Sequence, residues 1–369
     1  MEKKTTVISP EALQRQEGFC GRVREYWQAQ GITPVAFVET YGCQQNEADS
    51  EQIRGMLEHC GYGLTDGPEG ADLVIFNTCA IREHAEQRVF GNVGALTHLK
   101  RVHPERIVIL CGCMAQSEEI REQVKKSYRM VDLCFGPHEL WRFPELFERT
   151  LQVHGLSGAK GRVFDAESTE SIAEGLPRER EGSVKAWLSI MNGCNNFCSY
   201  CIVPYVRGRE KSRPLEDIVA EAQRYVDAGV KEITLLGQNV NSYGRDLYGA
   251  PRFADVLDAV DATGIKRLRF ATSHPKDLTD EVIAKFGSLR SLMPALHLPV
   301  QSGSNTILAA MNRRYTRDRY RELVAKLRAV RPDIALSTDV IVGFPGETEK
   351  DFEDTRRLID EIGYHQVFT

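Results

Sequence analysis

The sequence predicts an α/β protein made of an N-terminal doubly wound parallel-sheet domain followed by a partial (βα)6 barrel. Short apolar runs alternate with stretches of helical periodicity, in four units before residue 150 and in six units after Val184. A segment rich in charge and glycine, residues 152–182, separates the two series. Strands that alternate with helices in this way form parallel sheets whose faces the helices cover.

The first series predicts the N-terminal domain over residues 31–151. Its expected strands are 35–39, 72–76, 106–110 and 130–134. Helical spacing of apolar residues fills 46–60, 81–100 and 115–126. Residues 1–30 predict a separate amphipathic helix, an N-terminal extension that carries on one face Leu13, Phe19, Val23 and Trp27. We expect residues 152–182 to be a linker with one strand at 162–164.

The second series predicts a partial barrel over residues 183–369. Its expected strands are 184–190, 232–236, 267–271, 295–300, 334–342 and 364–368. Barrels of βα units carry their active sites where the strands end. The chain stops inside the sixth expected strand, so we expect it to be a truncated piece of a longer protein.

Composition excludes several classes of protein. The chain has 369 residues, and 47 Lys and Arg against 52 Asp and Glu give a net charge of −5. Its 10 cysteines are too few for a disulfide framework. The N-terminus does not have the pattern of a signal peptide, and no apolar run has the length of a membrane span. We therefore expect a cytoplasmic protein whose cysteines bind metal or catalyse a reaction.

The most specific motif is Cys194-Asn-Asn-Phe-Cys198-Ser-Tyr-Cys201, which follows the first expected barrel strand. Three thiols so closely spaced can surround one metal centre. Structural zinc takes four protein ligands, and no fourth cysteine or adjacent histidine completes the set. A 4Fe–4S cluster held by three thiolates leaves one iron open for a further ligand. The motif therefore favours an iron–sulfur cluster over zinc.

A second set of cysteines follows the expected strands of the N-terminal domain. Cys43, Cys79 and Cys113 come after the first, second and third strands. Loops at the carboxyl ends of adjacent parallel strands converge on one crevice, so these thiols could form a second site. Cys111 and Cys134 also lie at strand ends, and spacing alone does not decide among them. The alternative is that each cysteine is a small buried hydrophobic residue, as we expect for Cys20 and Cys60.

These motifs, taken together, resemble the methylthiotransferase family of the radical S-adenosylmethionine superfamily, and the MiaB-type tRNA branch most of all. In the N-terminal domain the resemblance rests on Glu39-Thr-Tyr-Gly-Cys-Gln-Gln-Asn-Glu-Ala-Asp-Ser-Glu51, Phe76-Asn-Thr-Cys-Ala-Ile-Arg-Glu-His-Ala-Glu86 and Gly112-Cys-Met-Ala-Gln116. In the barrel it rests on Gly193 to Glu210, Leu236-Gly-Gln-Asn-Val-Asn-Ser-Tyr243, His297-Leu-Pro-Val-Gln-Ser-Gly-Ser304 and Asp339-Val-Ile-Val-Gly-Phe-Pro-Gly-Glu347. The family continues into a small β-barrel RNA-binding (TRAM) domain, which we expect to be missing here.

The resemblance implies two 4Fe–4S clusters and S-adenosylmethionine as cofactors. Cys43, Cys79 and Cys113 would hold an auxiliary cluster that supplies sulfur. Cys194, Cys198 and Cys201 would hold the cluster that cleaves S-adenosylmethionine to a 5′-deoxyadenosyl radical. The implied reaction adds a methylthio group to C2 of N6-isopentenyladenosine beside the tRNA anticodon and consumes two S-adenosylmethionine molecules.

The superfamily pattern also implies contacts to S-adenosylmethionine at strand ends. The residues expected to make them are Tyr200, Gly237, Gln238, Asn239, Gln301, Ser302, Ile341 and Val342. The alternative for the glycine-rich turn after Val342 is an ordinary helix cap. No dinucleotide-binding or P-loop glycine motif is present in the sequence. We assign His274 and His297 to structural hydrogen bonds rather than to catalysis.

The expected partners are the anticodon stem-loop of tRNA and an electron donor such as flavodoxin or ferredoxin. The protein is expected to be a monomer that does not bind a membrane. A basic run beyond the cluster motif predicts contacts to RNA phosphates, with a solvated charged face as the alternative. Its cations are Arg207, Arg209, Lys211 and Arg213. The segment Asn312-Arg-Arg-Tyr315 is a weaker candidate of the same kind.

Two other functions remain open on the sequence. The same chemistry could act on threonylcarbamoyl-adenosine in tRNA or on an aspartate of a ribosomal protein. The chain could instead be a metal-stabilised RNA-binding protein without catalytic activity.

Overall fold

The computed structural model describes residues 6–80, 83–157, 161–166, 171–180, 182 and 184–369. Ile81 and Arg82 of the second N-terminal motif, and parts of the expected linker, lie outside the described residues. The chain forms two compact units. The N-terminal unit comprises the described residues up to 180 together with Tyr205–Gly208, and the C-terminal unit comprises residue 182, 184–204 and Arg209–Thr369.

The N-terminal unit alternates strands and helices, as the sequence predicts. Its strands are β1 (Thr6–Val7), β2 (Val35–Thr40), β3 (Gly63–Leu64), β4 (Leu73–Thr78), β5 (Ile107–Gly112), β6 (Leu133–Phe135), β7 (Val163–Asp165) and β8 (Ser171–Ile172). Its helices are α1 (Pro10–Gln28), α2 (Gln44–His59), α3 (Glu83–Val102), α4 (Cys113–Gln116), α5 (Glu118–Ser127) and α6 (Phe143–Ser157), with a 3-10 helix at Pro137–Arg142.

Six of these strands form one parallel sheet in the order β3-β2-β4-β5-β6-β7. The strand order reverses between β2 and β4, as in doubly wound sheets of the flavodoxin type. One face packs on side chains of α1, α2 and α6, and the other face packs on α3, α4 and α5. Both faces are therefore covered, and the predicted doubly wound parallel sheet is confirmed.

Two features of the N-terminal unit differ from the sequence prediction. Helix α1 is not separate from the domain, because Cys20 and Val23 are part of the core on one face of the sheet. Its buried face carries Ala12 and Gln16 in place of the expected Leu13 and Phe19.

The expected linker contributes to the same sheet. Strand β7 pairs with β6, and its Val163 is buried in the core. Arg162 extends this attachment, since its guanidinium donates hydrogen bonds to the carbonyls of Val124, Tyr128 and Val131.

The C-terminal unit contains the six strands that the sequence predicts for a partial barrel. They are β9 (Lys185–Ser189), β12 (Glu232–Leu236), β13 (Arg267–Phe270), β14 (Ala295–His297), β15 (Ala335–Asp339) and β16 (Gln366–Phe368). The short strands β10 (Met191–Asn192) and β11 (Lys211–Ser212) form a separate antiparallel pair. The helices of this unit are α8 (Leu215–Asp227), α9 (Arg245–Tyr248), α10 (Phe253–Asp261), α11 (Asp280–Ser288), α12 (Asn305–Ala310), α13 (Arg317–Val330) and α14 (Glu349–Ile362). The short helix α7 (Val203–Val206) comes before them and includes two residues of the N-terminal unit.

The barrel strands pair in chain order and in parallel. Strands β9, β12 and β13 form one sheet and β14, β15 and β16 form another, while a parallel bridge joins Leu268 to Leu292 just before β14. Alternate strand residues such as Leu235, Leu296 and Leu336 enter one large core with the helices. Among the described helices, none is both long and apolar enough to cross a membrane.

Substitution of two helical glycines tests how the helices of the N-terminal unit pack. A Cβ at Gly55 in α2 would lie 2.5 Å from the backbone nitrogen of Arg178, whereas a Cβ at Gly94 in α3 would meet nothing within 4 Å. We expect Gly55→Ala to lower the free energy of unfolding by ~1–3 kcal/mol. Gly94→Ala is expected to raise it by ~0.5–1 kcal/mol, because alanine favours a helix. Urea denaturation measures both, and equal stability of the two variants would contradict the packing described.

Candidate functional site

The N-terminal unit brings the loops that carry its three predicted ligands to the carboxyl edge of the sheet. Cys43 follows β2 and precedes α2, Cys79 follows β4, and Cys113 begins α4 directly after β5. The loops after β2 and β4 touch, because a Cβ at Gly42 would lie 2.6 Å from Cβ of Cys79. The thiols of Cys79 and Cys113 are buried and that of Cys43 is half-buried. The set therefore lies beside the point where the strand order reverses, the usual place for a ligand in such sheets.

A buried pair of asparagines ties the loops together. Asn77 at the end of β4 donates to the carbonyl of Asn46 at 2.8 Å and to the hydroxyl of Ser50 at 2.9 Å. Asn46 donates back to Oδ1 of Asn77 at 3.2 Å and to the carbonyl of Thr78 at 3.1 Å. The start of α2 is thus fixed against the end of β4 by side chains that water does not reach.

Gly112 fixes the third loop. Its φ of +91° favours glycine, and a Cβ there would lie 2.4 Å from both Oδ1 of Asn77 and the carbonyl of Thr78. The hydroxyl of Thr78 also donates to the carbonyl of Cys111 at 2.5 Å. Strands β4 and β5 therefore end in direct contact, and the chain turns there to place Cys113.

A buried guanidinium faces this set of thiols within the N-terminal unit. Nε of Arg207 donates to Sγ of Cys113 at 3.1 Å, and Nη2 donates to Oδ2 of Asp49 at 2.6 Å. Burial raises the pKa of the Cys113 thiol, and the charge of Arg207 opposes that rise. The RNA-phosphate role predicted for Arg207 is wrong, because its side chain is buried and already paired.

The four remaining cysteines of this unit lie in its packed interior. Cys20, Cys60 and Cys111 are part of the core that faces α1, α2 and α6, and Cys134 is part of the opposite core. Burial raises the pKa of Cys134 to about 12. Cys20 and Cys60 match the expectation for small buried hydrophobic residues, and Cys111 and Cys134, the rival candidates, are buried in the same kind of environment.

The other three predicted ligands lie on a single loop of the C-terminal unit, between β10 and α7. Cys194 and Cys198 are buried and Cys201 is half-buried. Phe197 has a φ of +49°, an uncommon conformation for a residue with a side chain, and it turns the chain before Cys198. Burial raises the pKa of Cys194 to about 12, and charges on Cys201 and Cys198 would raise it further. The three thiols thus lie on one short loop, in a largely buried environment.

The end of α12 anchors this cysteine loop. Nδ2 of Asn312 donates to the carbonyls of Asn196 at 3.2 Å and Phe197 at 2.9 Å. The backbone nitrogen of Ser199 donates to the carbonyl of Met311 at 3.1 Å. These contacts hold both sides of Cys198 and fix the direction of its thiol.

Two side chains next to Cys198 were not assigned to this site from the sequence. Nη1 of Arg313 lies 3.5 Å from Sγ of Cys198 and 3.4 Å from the hydroxyl of Tyr200. Nε2 of His274 lies 4.0 Å from the same sulfur. Burial, together with Arg313 and Lys276, lowers the pKa of His274 to about 2, so the imidazole is neutral. The sequence offers two signals here: the Asn312-Arg-Arg-Tyr315 segment, a weaker candidate for an RNA contact, and His274, which the sequence assigns to structural hydrogen bonds.

The residues predicted to bind S-adenosylmethionine lie on several segments of the C-terminal unit. Oε1 of Gln238 accepts a hydrogen bond from the Gly193 nitrogen at 2.5 Å, which ties the loop after β12 to the cysteine loop. Gln301 has a φ of +68°, and its carbonyl accepts from the nitrogen of Ile341 at 2.9 Å. The loops after β14 and β15 are thus paired, while Tyr200 and Val342 are exposed.

Ser302 differs from the other predicted contacts. It is fully buried, its hydroxyl pairs with that of Thr355 at 3.2 Å, and it accepts from the nitrogen of Ser304 at 3.1 Å. These partners hold the loop against α14. Gly237 is similarly confined, since a Cβ there would lie 2.6 Å from Cγ of Met191.

Buried polar atoms at the strand ends fit an additional polar ligand. Within the described ranges, the buried atoms without a hydrogen-bond partner include four on the cysteine loop and on the segments after β12 and β13: Nδ2 of Asn196, Oδ1 of Asn239, Nδ2 of Asn241 and Oγ of Ser273. The other amide atom of Asn239 has a partner, because Nδ2 donates a hydrogen bond to Oδ2 of Asp277 at 2.8 Å. A buried polar atom without a partner costs free energy, so these positions suit a ligand with charged or hydrogen-bonding ends.

The basic run does not form the exposed patch that the sequence predicts. Lys211 and Arg213 are buried, and Arg213 pairs with Glu221 at 2.7 Å. Of the four cations, Arg209 is exposed, and its guanidinium lies 4.4 Å from the centre of the Phe197 ring. The RNA-contact predictions for Lys211 and Arg213 are wrong for the same reason as for Arg207, since buried side chains are not accessible to phosphates.

Both sets of cysteines consist of soft thiol donors. No three histidine, cysteine or acidic side chains in the described part of the chain stand close enough to share one metal ion. In a 4Fe–4S cluster each thiolate binds a different iron, so the thiolates surround a larger body than one ion. Each set offers three soft thiol ligands, the donors such clusters use.

Both parts of the chain match known protein families. Residues 188–359 match the radical SAM superfamily, and residues 35–136 match the uncharacterized protein family UPF0004. The chain is 47% identical to the tRNA-2-methylthio-N(6)-dimethylallyladenosine synthase of Alkaliphilus oremlandii, over 100% of this chain and 77% of that protein. It is 52% identical to the synthase of the same name from Clostridium tetani, over 90% of this chain and 73% of that protein.

Two solved structures share the fold. The radical S-adenosylmethionine methyltransferase TsrM from Kitasatospora setae superposes with a TM-score of 0.64 at 14% identity, over 90% of this chain and 72% of that one. The cobalamin-dependent S-adenosylmethionine radical enzyme OxsB superposes with a TM-score of 0.57 at 12% identity, over 88% of this chain and 52% of that one. At these identities the likeness concerns the fold alone.

Asn77 tests whether the asparagine pair holds the thiol-bearing loops. Asn77→Ala removes two donors and leaves buried acceptors unpaired, so we expect the free energy of unfolding to fall by ~1–3 kcal/mol. In the folded variant, Cys79 and Cys113 should also react faster with an alkylating reagent, as measured by mass spectrometry. Asn92→Ala is the control, because Asn92 lies on α3 and its amide bonds the Tyr41 hydroxyl, outside the asparagine pair. Equal effects of the two variants would contradict a special role for the pair.

Proposed function

The chain belongs to the family of tRNA-2-methylthio-N(6)-dimethylallyladenosine synthases within the radical SAM superfamily, and on that premise we propose how its residues perform the reaction. The proposed enzyme adds a methylthio group to C2 of N6-isopentenyladenosine beside the anticodon of tRNA. It does so with two 4Fe–4S clusters and two molecules of S-adenosylmethionine. The observation that carries the proposal is the presence of two separate sets of three cysteines, one at strand ends in each unit.

In the C-terminal unit, Cys194, Cys198 and Cys201 would hold the first cluster, which supplies the electron that cleaves S-adenosylmethionine when both are bound. The protein's own part is to fix the thiols and to balance charge. Asn312 holds the cysteine loop, and the buried guanidinium of Arg313 places a positive charge 3.5 Å from Sγ of Cys198.

The same unit would bind the methionine end of S-adenosylmethionine through buried polar groups. Oδ1 of Asn239 and Nδ2 of Asn196 have no partner among the described residues, so an ammonium and a carboxylate would satisfy them. The paired loops at Gln301 and Ile341 would face the ribose and adenine. Tyr200 and Val342 are exposed and would become covered by the cofactor.

In the N-terminal unit, Cys43, Cys79 and Cys113 would hold the auxiliary cluster, which supplies sulfur. Asn77 and Gly112 hold the three loops in contact, so the thiols do not depend on the cluster for their approximate placement. Both faces of the sheet that carries this edge are packed against helices. We propose as partners the anticodon stem-loop of tRNA and a small electron-transfer protein such as flavodoxin or ferredoxin, with the enzyme acting as a cytoplasmic monomer.

Iron content tests the assignment of the six cysteines. After anaerobic reconstitution the chain should hold ~8 irons, as two 4Fe–4S clusters. Replacing Cys194, Cys198 and Cys201 together with alanine should leave ~4 irons, and so should replacing Cys43, Cys79 and Cys113. Iron and sulfide assays with electron paramagnetic resonance measure the result.

Cys111→Ala is the matched control for this experiment, because Cys111 lies two residues from Cys113 but packs in the core. It should keep ~8 irons. Loss of iron in Cys111→Ala, with full loading after Cys113→Ala, would assign the ligand to Cys111. A wild-type chain that binds zinc and remains colourless would refute the proposed function.

Mass spectrometry of nucleosides tests the substrate. A strain that lacks this enzyme should accumulate N6-isopentenyladenosine in its tRNA, and the wild-type gene should restore the 2-methylthio form, while Cys198→Ala should not. If the gene instead restores a methylthio group on threonylcarbamoyl-adenosine, or on an aspartate of a ribosomal protein, that molecule is the substrate. Full restoration by Cys198→Ala would favour a non-catalytic RNA-binding protein.

A further inference from the structure

Arg207 occupies a position that neither the sequence motif nor the proposed ligand sets explain. It comes after the cysteine loop in sequence, but it packs within the N-terminal unit, together with Tyr205–Gly208. Its side chain is 6% exposed. A buried guanidinium is costly unless it is paired, so its partners indicate what it does there.

Those partners are a carboxylate and a thiol. Asp49 on α2 accepts from Nη2 of Arg207 at 2.6 Å through Oδ2, and its Oδ1 accepts from Nε2 of Gln45 at 3.1 Å. Nε of Arg207 points at Sγ of Cys113 at 3.1 Å. The carboxylate of Asp49 alone would neutralise the charge of the guanidinium. The contact to Cys113 is therefore not needed for charge balance, and it gives the sulfur a hydrogen-bond donor.

The contact to sulfur suits a thiolate rather than a thiol. A neutral thiol is a weak acceptor, whereas a thiolate accepts a charge-assisted hydrogen bond. The fork of the guanidinium lets one side chain contact both anions in a fixed plane.

We propose that Arg207 is a positioning residue of the auxiliary cluster, which orients the Cys113 sulfur as a ligand and raises the reduction potential of the cluster. This inference rests on the proposed function, since it requires a cluster on Cys43, Cys79 and Cys113. Hydrogen bonds to ligand sulfur and nearby positive charge stabilise the more negative, reduced cluster. Asp49 acts in the opposite direction, because its carboxylate offsets part of that positive charge.

The experiment measures the potential of the auxiliary cluster alone. The background is the full chain with Cys194, Cys198 and Cys201 replaced by alanine, reconstituted anaerobically and titrated with dithionite under electron paramagnetic resonance. Arg207→Gln should shift the midpoint to a more negative potential, by about 59 mV for a tenfold change in the one-electron equilibrium. Asp49→Asn should shift it to a more positive potential.

Two further variants keep the test decisive. Arg207→Lys retains the charge without the planar fork, so its midpoint should lie between those of the wild type and Arg207→Gln. Arg22→Gln is the matched control, because Arg22 pairs with Glu148 at 2.7 Å on the surface of the same unit and should leave the midpoint unchanged.

The outcomes separate the two proposals. Equal midpoints for wild-type, Arg207→Gln and Arg207→Lys backgrounds would overturn the role of Arg207 while leaving the proposed function intact. If the chain with the three alanine replacements and an intact Arg207 binds no iron, the auxiliary cluster itself is refuted. If Arg207→Gln fails to load iron, a lowered midpoint in Arg207→Lys supports the proposal and an unchanged midpoint overturns it.

Discussion

The parallel direction of the strands is the constraint on which the candidate sites depend. In each unit the main strands run the same way, so all their carboxyl ends lie along one edge of the sheet to which they belong. Residues that follow different strands then lie near one another although they are far apart in sequence. Cys43, Cys79 and Cys113 reach a common edge for this reason. The loop of Cys194 depends on it too, because it is tied to the segment after β12 through Gln238.

A second constraint is electrostatic. Buried thiols resist ionisation, as the raised pKa values of Cys113 and Cys194 show, yet a metal cluster binds thiolates. Each unit places one buried guanidinium within hydrogen-bond distance of a candidate ligand: Arg207 at Cys113, and Arg313 at Cys198. The two arginines come from unrelated elements. The recurrence supports a common requirement, that positive charge offset the burial of anionic sulfur.

The sequence predicted the order of strands better than the environment of its charged residues. Apolar runs bounded by turns identified the six barrel strands, because alternation records which side chains face a core. Burial of the basic run could not be predicted in this way. Arg207 pairs with Asp49, which is 158 residues away in the chain, and Arg213 pairs with Glu221 on the next helix. Local composition indicates a solvated face, and only the fold identifies the partners that make burial possible.

The choice between Cys111 and Cys113 shows how little separates a core residue from a candidate ligand. Cys111 is in β5, where alternation directs it into the core beneath α1, α2 and α6. Continued alternation would direct Cys113 to the same face, but Gly112 has a φ of +91° and α4 begins at the next residue, which turns Cys113 toward Arg207. Asn77 and Thr78 leave no room for a side chain at Gly112. The strand that ends alongside β5 therefore determines which of the two thiols turns toward Arg207, a difference that spacing alone does not reveal.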